Sequence, residues 1–448
     1  MNYLIGLDIG TSSIKGVLLA ADGSAQYTGK ELFRYTQPGP KQVEISAQAY
    51  LDTCCALLRR LTARLPADGK LCGICAASAS GNLLLLDQAG EPLTPIYNWR
   101  DNRTTWESEA VLGADFDTEA FYRKVGWPYF GTGFPLATLC WLKCHCPELL
   151  AECGKVCMST EYLFYRLTGC WGISTSAGTP FYLIDQCSAD YIPQLLQPFS
   201  VEQHQLPPVG KTGMLLGRIT EQGTGLCGVP EGTPVYLGTF DHPSAARAAG
   251  VLKEGQMLLS CGTSWVAFFP VAERNKIVAA NMLADPFLSH RSGCWAGMAS
   301  VAAISGRIET YIRRYVADEG DIFGVFADEA RKSQPGAGGL RIDLLSDEPI
   351  GEHPRCHIAR AIMEATVRLL KEKLDALKAL GIEANELIMV GGPSEEPLWA
   401  QIIAEMTGIS VQICHGAYAG AVGAAMVAGI SAGLYADEAE AGRKLKGE

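Results

Sequence analysis

The sequence predicts a mixed α/β protein built from two similar lobes, and three observations lead there. At 448 residues the chain is longer than one hydrophobic core usually serves, so two domains are expected. Its first ninety residues read strand, strand, strand, helix, strand, the order of a mixed lobe and not of a doubly wound one. A strand–Gly-Thr-Ser–strand unit then occurs twice, in Tyr3–Leu19 and again in Gln256–Phe269. Internal repetition is a better guide to architecture than any single motif. It suggests two lobes, each offering a hairpin loop to one shared ligand.

The opening stretch YLIGLDIGTSSIKG is an apolar strand ending in Asp8, a turn through Gly10, Thr11, Ser12 and Ser13, and a second strand carrying Lys15. Gly10 lets the backbone approach an anion closely. The hydroxyls, the amides and the Lys15 ammonium are phosphate donors. Asp8 would repel a bare phosphate, so it makes chemical sense beside Mg²⁺ or in water positioning. An ordinary hairpin with a Gly-Thr turn is the plainer alternative.

A third strand is expected at Glu31–Tyr35. Ser46 to Leu65 has the apolar spacing of a helix (Tyr50, Leu51, Cys54, Leu57, Leu58, Leu61), with Ser46 as its cap. Buried strands follow at Leu71–Ala77 and Asn82–Leu86. The segment PIYNWRDNR gathers Trp99, Arg100, Asp101 and Arg103 at a strand end. Such a set suits a sugar or polyol: charged groups bind hydroxyls and an aromatic face packs on C–H surfaces. The plainer alternative is a solvated loop with a surface ion pair. Glu161–Leu167 reads as helical.

In PVYLGTFDHPSAARAAG a strand at Val235–Leu237 leads through Gly238-Thr239 to Asp241, with a small-residue helix from about Pro243. A carboxylate at a strand-to-helix junction can project into a cleft, or it can merely cap the helix. The second Gly-Thr-Ser unit follows, with Gly262, Thr263 and Ser264. The domain boundary is expected near Val251–Glu254, dividing 1–252 from 253–448. Helices are expected at Ser305–Val316 and Arg355–Leu380, the latter stopped at Gly381. Glu386–Val390 is a strand running into Gly391-Gly392-Pro393-Ser394, a turn with amides and room for a flat or anionic group. Ala417–Ile430 is an Ala/Gly-rich helix suited to close packing.

Composition narrows the function. The chain is 48% hydrophobic and 19% charged, which fits a globular enzyme and not a disordered segment. A net charge of −11 argues against nucleic-acid and anionic-membrane partners, yet leaves room for a locally positive phosphate site. The sixteen cysteines are scattered and lack paired CxxC motifs, so no zinc site is expected. No secretory leader or membrane-length apolar run is read, and free thiols fit a reducing cytoplasm.

The ordered set LDIGTSSIKG, NWRDNRT, GTFDHPSAARAAGV, SCGTS, VGGPSEEPLWAQIIAEMTG and AGAVGAAMVAG resembles the FGGY carbohydrate kinases, in their xylulokinase-like branch, over essentially the whole chain. The resemblance implies two actin-like (ribonuclease H-like) ATPase lobes with ATP and sugar in an interlobe cleft. The N-terminal lobe would carry the sugar and the base, and the C-terminal lobe the nucleotide. Asp241 would be the general base, with Asp8 beside it at the Mg²⁺. Gly10–Ser13 and Gly262–Ser264 would hold the ATP phosphates, and Gly391, Gly392 and Ser394 the adenosine. Asp101 would lie at the sugar end with Trp99 and Arg103.

The sequence also departs from the family pattern. A third Gly and an Ala usually follow the glycine pair; here Pro393 and Ser394 stand there, and a proline removes an amide donor. Xylulokinase-like members carry Met-His, and glycerol kinases Arg-Glu, where this chain has Ser80-Gly81 followed by Asn82. Both of those substrates lose support, and Ser80 and Asn82 become candidate acceptor contacts. His242 joins them, with a satisfied structural histidine as the alternative. The expected activity is transfer from Mg-ATP to a terminal hydroxyl of a small sugar, a ketose or deoxyketose first, then a polyol or sugar acid. A nucleotide-binding sugar sensor and an actin-like ATPase are the competing readings. The exposed helices of the second lobe leave room for a homodimer.

Overall fold

The computed structural model describes residues 1–346, 348–414 and 416–447. Two compact units emerge. The first holds Met1–Gly250, Leu283–Ser292 and Tyr418–Glu448; the second holds Val251–Met282 and Gly293–Ala417.

In the first unit, β1 (Asn2–Ile9), β2 (Ser13–Ala20) and β3 (Gln26–Leu32) form an antiparallel meander. Helix α1 (Ala47–Thr62) and strand β4 (Lys70–Ser78) follow. Strands β5 (Leu215–Arg218) and β6 (Pro234–Phe240) come much later, and β6 leads directly into α2 (Asp241–Ala249). The sheet order is β5-β6-β4-β1-β2-β3, with β4 parallel to β1 and β6 parallel to β4. The third strand begins five residues before its expected start, because the turn after Ala20 is tight and Leu19 already faces Gln26. Ser46 caps α1 as expected, accepting from the Ala49 amide. The apolar face of α1 packs on β2 and β3 and builds the main core.

The second unit repeats the plan. Strands β7 (Gly255–Cys261), β8 (Trp265–Val271) and β9 (Trp295–Val301) form the meander. Helices α3 (Ile304–Tyr315), α4 (Ile322–Arg331) and α5 (Arg355–Ala379) follow. Strand β10 (Ala384–Gly391) lies parallel to β7, and after α6 (Pro397–Thr407) strand β11 (Ser410–Ile413) lies parallel to β10. These strands run β9-β8-β7-β10-β11, repeating the third-second-first-fourth order of the first unit.

The small-residue helix α7 (Ala419–Ser431) belongs to the first unit, although it falls in the 253–448 stretch read from sequence as the second lobe. It lies on β1 and β4. Its glycines and alanines permit this: a Cβ added at Gly6 would stand 1.9 Å from the Ala421 carbonyl oxygen, and one at Gly423 would stand 1.8 Å from that of Ser244. Side chains at these points would hold the helix off the sheet and off α2. Among the described residues no cysteine forms a disulfide. Among the described residues no helix is long and apolar enough to cross a membrane.

Candidate active site

The first unit brings Asp8, Lys15 and Asp241 to one end of its sheet. Asp8 ends β1 and stands opposite Lys15 across the hairpin and opposite Ala77 of β4. Gly10 closes the turn by donating its N–H to the Ser13 carbonyl at 3.0 Å. The first turn of α7 rests on Asp8, where a Cβ at Gly420 would meet the carboxyl carbon at 2.7 Å. Asp8 keeps a sliver of solvent access but is densely surrounded. Burial pushes its carboxyl up to about 7, the Asp241 charge adds to the rise, and Lys15 opposes it.

Asp241 is the first residue of α2, not its cap: Phe240 holds the cap position, and the helix starts two residues earlier than the Pro243 expected. The Asp241 carboxylate accepts the His242 backbone N–H at 2.7 Å, and the His242 ring nitrogen Nε2 lies 4.0 Å from the same oxygen. Part of each side chain remains exposed. The Asp8–Asp241 pair is the candidate metal-facing set. Among the described residues no three metal-ligating side chains gather anywhere. Two carboxylates suit Mg²⁺, which usually keeps water and takes the rest of its shell from phosphates.

In the Trp99 loop the charged groups contact one another and the backbone. Trp99 is part-exposed and donates its indole N–H to Thr11 Oγ1 at 3.0 Å, so it touches the Gly-Thr-Ser-Ser turn. Asp101 is 2% exposed. Its oxygens accept from the Val43 N–H at 2.7 Å, and from the Arg103 backbone N–H at 3.1 Å and Nε at 2.8 Å. Arg103 also pairs with Glu44 and lies over the rings of Tyr97 and Trp141. Both charges expected to face a sugar are thus spent on shaping the loop. Asn82 is likewise committed: it donates to Ser159 Oγ and accepts the Ser159 N–H, holding the start of the Ser159–Thr168 helix. Ser80 is buried and shares a hydrogen bond with Ser78.

The second unit holds a cavity of about 720 Å³ lined by Thr263, Ser305, Glu309, Phe326, Gly392, Pro393 and Trp399, among others. The Gly262–Ser264 turn forms one wall. Ser305 Oγ donates to the Gly262 carbonyl at 2.6 Å, and the Ala303 N–H donates to Ser264 Oγ at 3.0 Å. The other wall is the turn after β10. Gly391 sits at φ 102°, and a Cβ there would stand 2.5 Å from the Cys261 carbonyl oxygen, so glycine is required. Ser394 is buried and donates to the Gly391 carbonyl at 2.6 Å, which closes the turn. Pro393 lines the cavity, whereas Ser394 is not among its lining residues. Sequence reasoning missed Ser305, Phe326 and Trp399, whose apolar spacing marks only helix faces.

The chain matches the N-terminal domain of the FGGY family of carbohydrate kinases over residues 3–247 and the C-terminal domain over 330–432. The chain belongs to the FGGY family of carbohydrate kinases. This FGGY kinase is 27% identical to the L-xylulose/3-keto-L-gulonate kinase of Escherichia coli K12, over 99% of this chain and 91% of that one. It is 26% identical to the autoinducer-2 kinase of Photorhabdus laumondii, over 99% and 88%. A xylulose kinase structure from Rhodospirillum rubrum superposes with a TM-score of 0.87 at 25% identity, covering 98% of this chain and 92% of that one. The two-unit actin-like ATPase fold and a carbohydrate kinase activity using ATP follow from the family.

Proposed function

We propose that this kinase transfers the terminal phosphoryl group of Mg-ATP to a terminal hydroxyl of a small ketose or deoxyketose, with Asp241 as general base. The observation that carries this reading is Asp241 at the head of α2, part-exposed and close enough to Asp8 for their charges to interact. Phosphoryl transfer needs alignment, charge neutralisation and one carboxylate to take the hydroxyl proton. Asp241 receives that proton. Lys15 and the amides of Gly10–Ser13 face phosphate oxygens. Mg²⁺, when bound, neutralises phosphate charge, with Asp8 and Asp241 as its protein ligands. The cavity of the second unit takes the adenosine, between Gly392 and Trp399, with Thr263 towards the phosphates.

On the acceptor side we assign Trp99 the apolar face of the sugar and His242 a hydroxyl. Asp101 and Arg103 position the Trp99 loop and do not bind sugar themselves, and Asn82 serves the fold. The ketose class rests on the xylulose and keto-gulonate in the names of the relatives and on the absence of the Arg-Glu pair at Ser80-Gly81. An ADP-release assay across ketoses, deoxyketoses, polyols and aldonates tests the reading. One acceptor-dependent hit among the ketoses is expected. ADP release that ignores every acceptor would sink it in favour of a free ATPase.

A further inference from the structure

Asp285 is a carboxylate that the proposed reaction does not use, and it is 1% exposed. Burying a charge is costly unless it is held by partners. Its partners all lead to the start of α2. Asp285 Oδ2 accepts from Ser176 Oγ at 2.7 Å, and Ser176 Oγ accepts the Phe240 N–H at 3.1 Å. Phe240 is the residue before Asp241. Asp285 Oδ1 is fixed in turn by the Phe287 N–H at 2.7 Å.

The same short segment reaches α2 by two further routes. The Ala284 carbonyl accepts the Trp127 indole N–H at 3.0 Å, and the Trp127 ring packs edge-on to Phe240 at 5.2 Å. The Phe287 carbonyl accepts from Arg247 Nη2 at 3.0 Å, and the Arg247 guanidinium lies over the Phe287 ring. Arg247 is itself on α2, fully buried. The chain leaves the second unit at Met282 and returns to it at Gly293, and within Leu283–Ser292 it is Ala284, Asp285 and Phe287 whose contacts reach Phe240 or Arg247.

We propose that Leu283–Ser292 is a brace for the Asp241 helix, and that Ser176 and Asp285 are positioning residues that fix the Asp241 carboxylate through the Phe240 backbone. The inference rests on Asp241 being the base. Ser176 serves as a relay because its hydroxyl can accept and donate at once. Asp285 orients that hydroxyl, leaving its lone pair for Phe240. Removing Ser176 frees the Phe240 N–H, and removing Asp285 leaves the Ser176 hydroxyl without its orienting acceptor; either lets the helix start drift, and misplacement by about 1 Å costs roughly 100-fold in rate.

The test compares Ser176→Ala, Asp285→Ala, their double variant, Ser176→Thr and Asp241→Asn, with L-xylulose as the acceptor probe and with crystal structures of wild type and Ser176→Ala. Each alanine variant should lower kcat about 10- to 100-fold, leave the ATP KM unchanged and shift the Asp241 carboxylate by about 0.5 Å or more. The double variant should fall no further than the worse single one, as residues acting in one relay do. Ser176→Thr, which keeps the hydroxyl, should recover most of the rate. Additive losses, or an unmoved Asp241 in the Ser176→Ala structure, overturn the brace. Should Asp285→Ala fail to fold, Ser176→Ala and its structure decide alone. If Asp241→Asn keeps its turnover, the functional reading fails, and with or without turnover of L-xylulose the crystallographic comparison decides the brace.

Discussion

Across the first hairpin Asp8 faces Lys15; across the second, the same register positions are held by Ser260 and Val266. Gly10-Thr11-Ser12 and Gly262-Thr263-Ser264 align between them. The fourth strands differ in the same way. Opposite Ile9 stands Ser78, leading to Ser80; opposite Cys261 stands Gly391, leading to Gly392 and Pro393. One backbone plan therefore serves two chemistries. The first unit concentrates charge at its strand ends, and the second keeps its strand ends neutral and opens an apolar cavity behind them. The first unit also bears the strain of buried carboxyls. Burial pushes Asp8 and Glu161 up to about 7 and Asp285 up to about 6.

The sharpest way to break this contrast is Asp241→Asn. It should lower kcat by about 10²- to 10⁴-fold, the usual worth of a general base, with ATP binding by calorimetry unchanged. Comparable turnover would remove the base from the first unit. Next, Asp8→Ser gives the first hairpin the residue of the second. Turnover should fall by about 100-fold, while Ser260→Ala stays near wild type; equal losses would mean that the two hairpins do the same work.

A pH series probes the stored strain. Asp8, Glu161 and Asp285 keep their protons in the folded state at pH values where the unfolded chain has lost them. Their contribution to stability is therefore greatest below about pH 4 and declines as pH rises to about 7. Scanning calorimetry of the protein without ligands should show the transition temperature falling between about pH 4 and about pH 7. Glu161→Gln, neutral throughout, should recover roughly 3 °C at pH 8. An unchanged slope would refute the assignment. The smallest effect is expected from Pro393→Gly. It returns one amide donor to the cavity wall and should lower the ATP KM about two- to tenfold, the worth of one neutral hydrogen bond, without moving the sugar KM.

Much of the fold was legible because its signals are local. The period of α1 from Tyr50 to Leu61, the Gly-Thr-Ser turns and the small-residue run at 419–431 each depend on neighbours a few positions away. The candidate site was legible only in part. Asp8, Lys15 and Asp241 come together at one end of the first sheet. The partners of Asp101 and Arg103 were not legible, because a charged, aromatic loop looks the same in sequence whether its charges face a ligand or each other. The partners that decide it, Val43 and Glu44, lie almost sixty residues away. Trp127 and Asp285 gave no signal at all, and no spacing links either of them to Ser176.

The sequence by itself determined the duplicated hairpins, the mixed order of strands and the placement of a carboxylate at the head of a helix, because turns, caps and apolar periods are written in consecutive residues. Tertiary structure decided which polar groups are already spent. It turned Asp101, Arg103 and Asn82 inward, left Asp241 and His242 part-exposed, and folded Leu283–Ser292 and α7 back onto the first unit. A hydrogen bond or an ion pair is satisfied by whatever lies within about 3 Å in space, and distance along the chain does not record that.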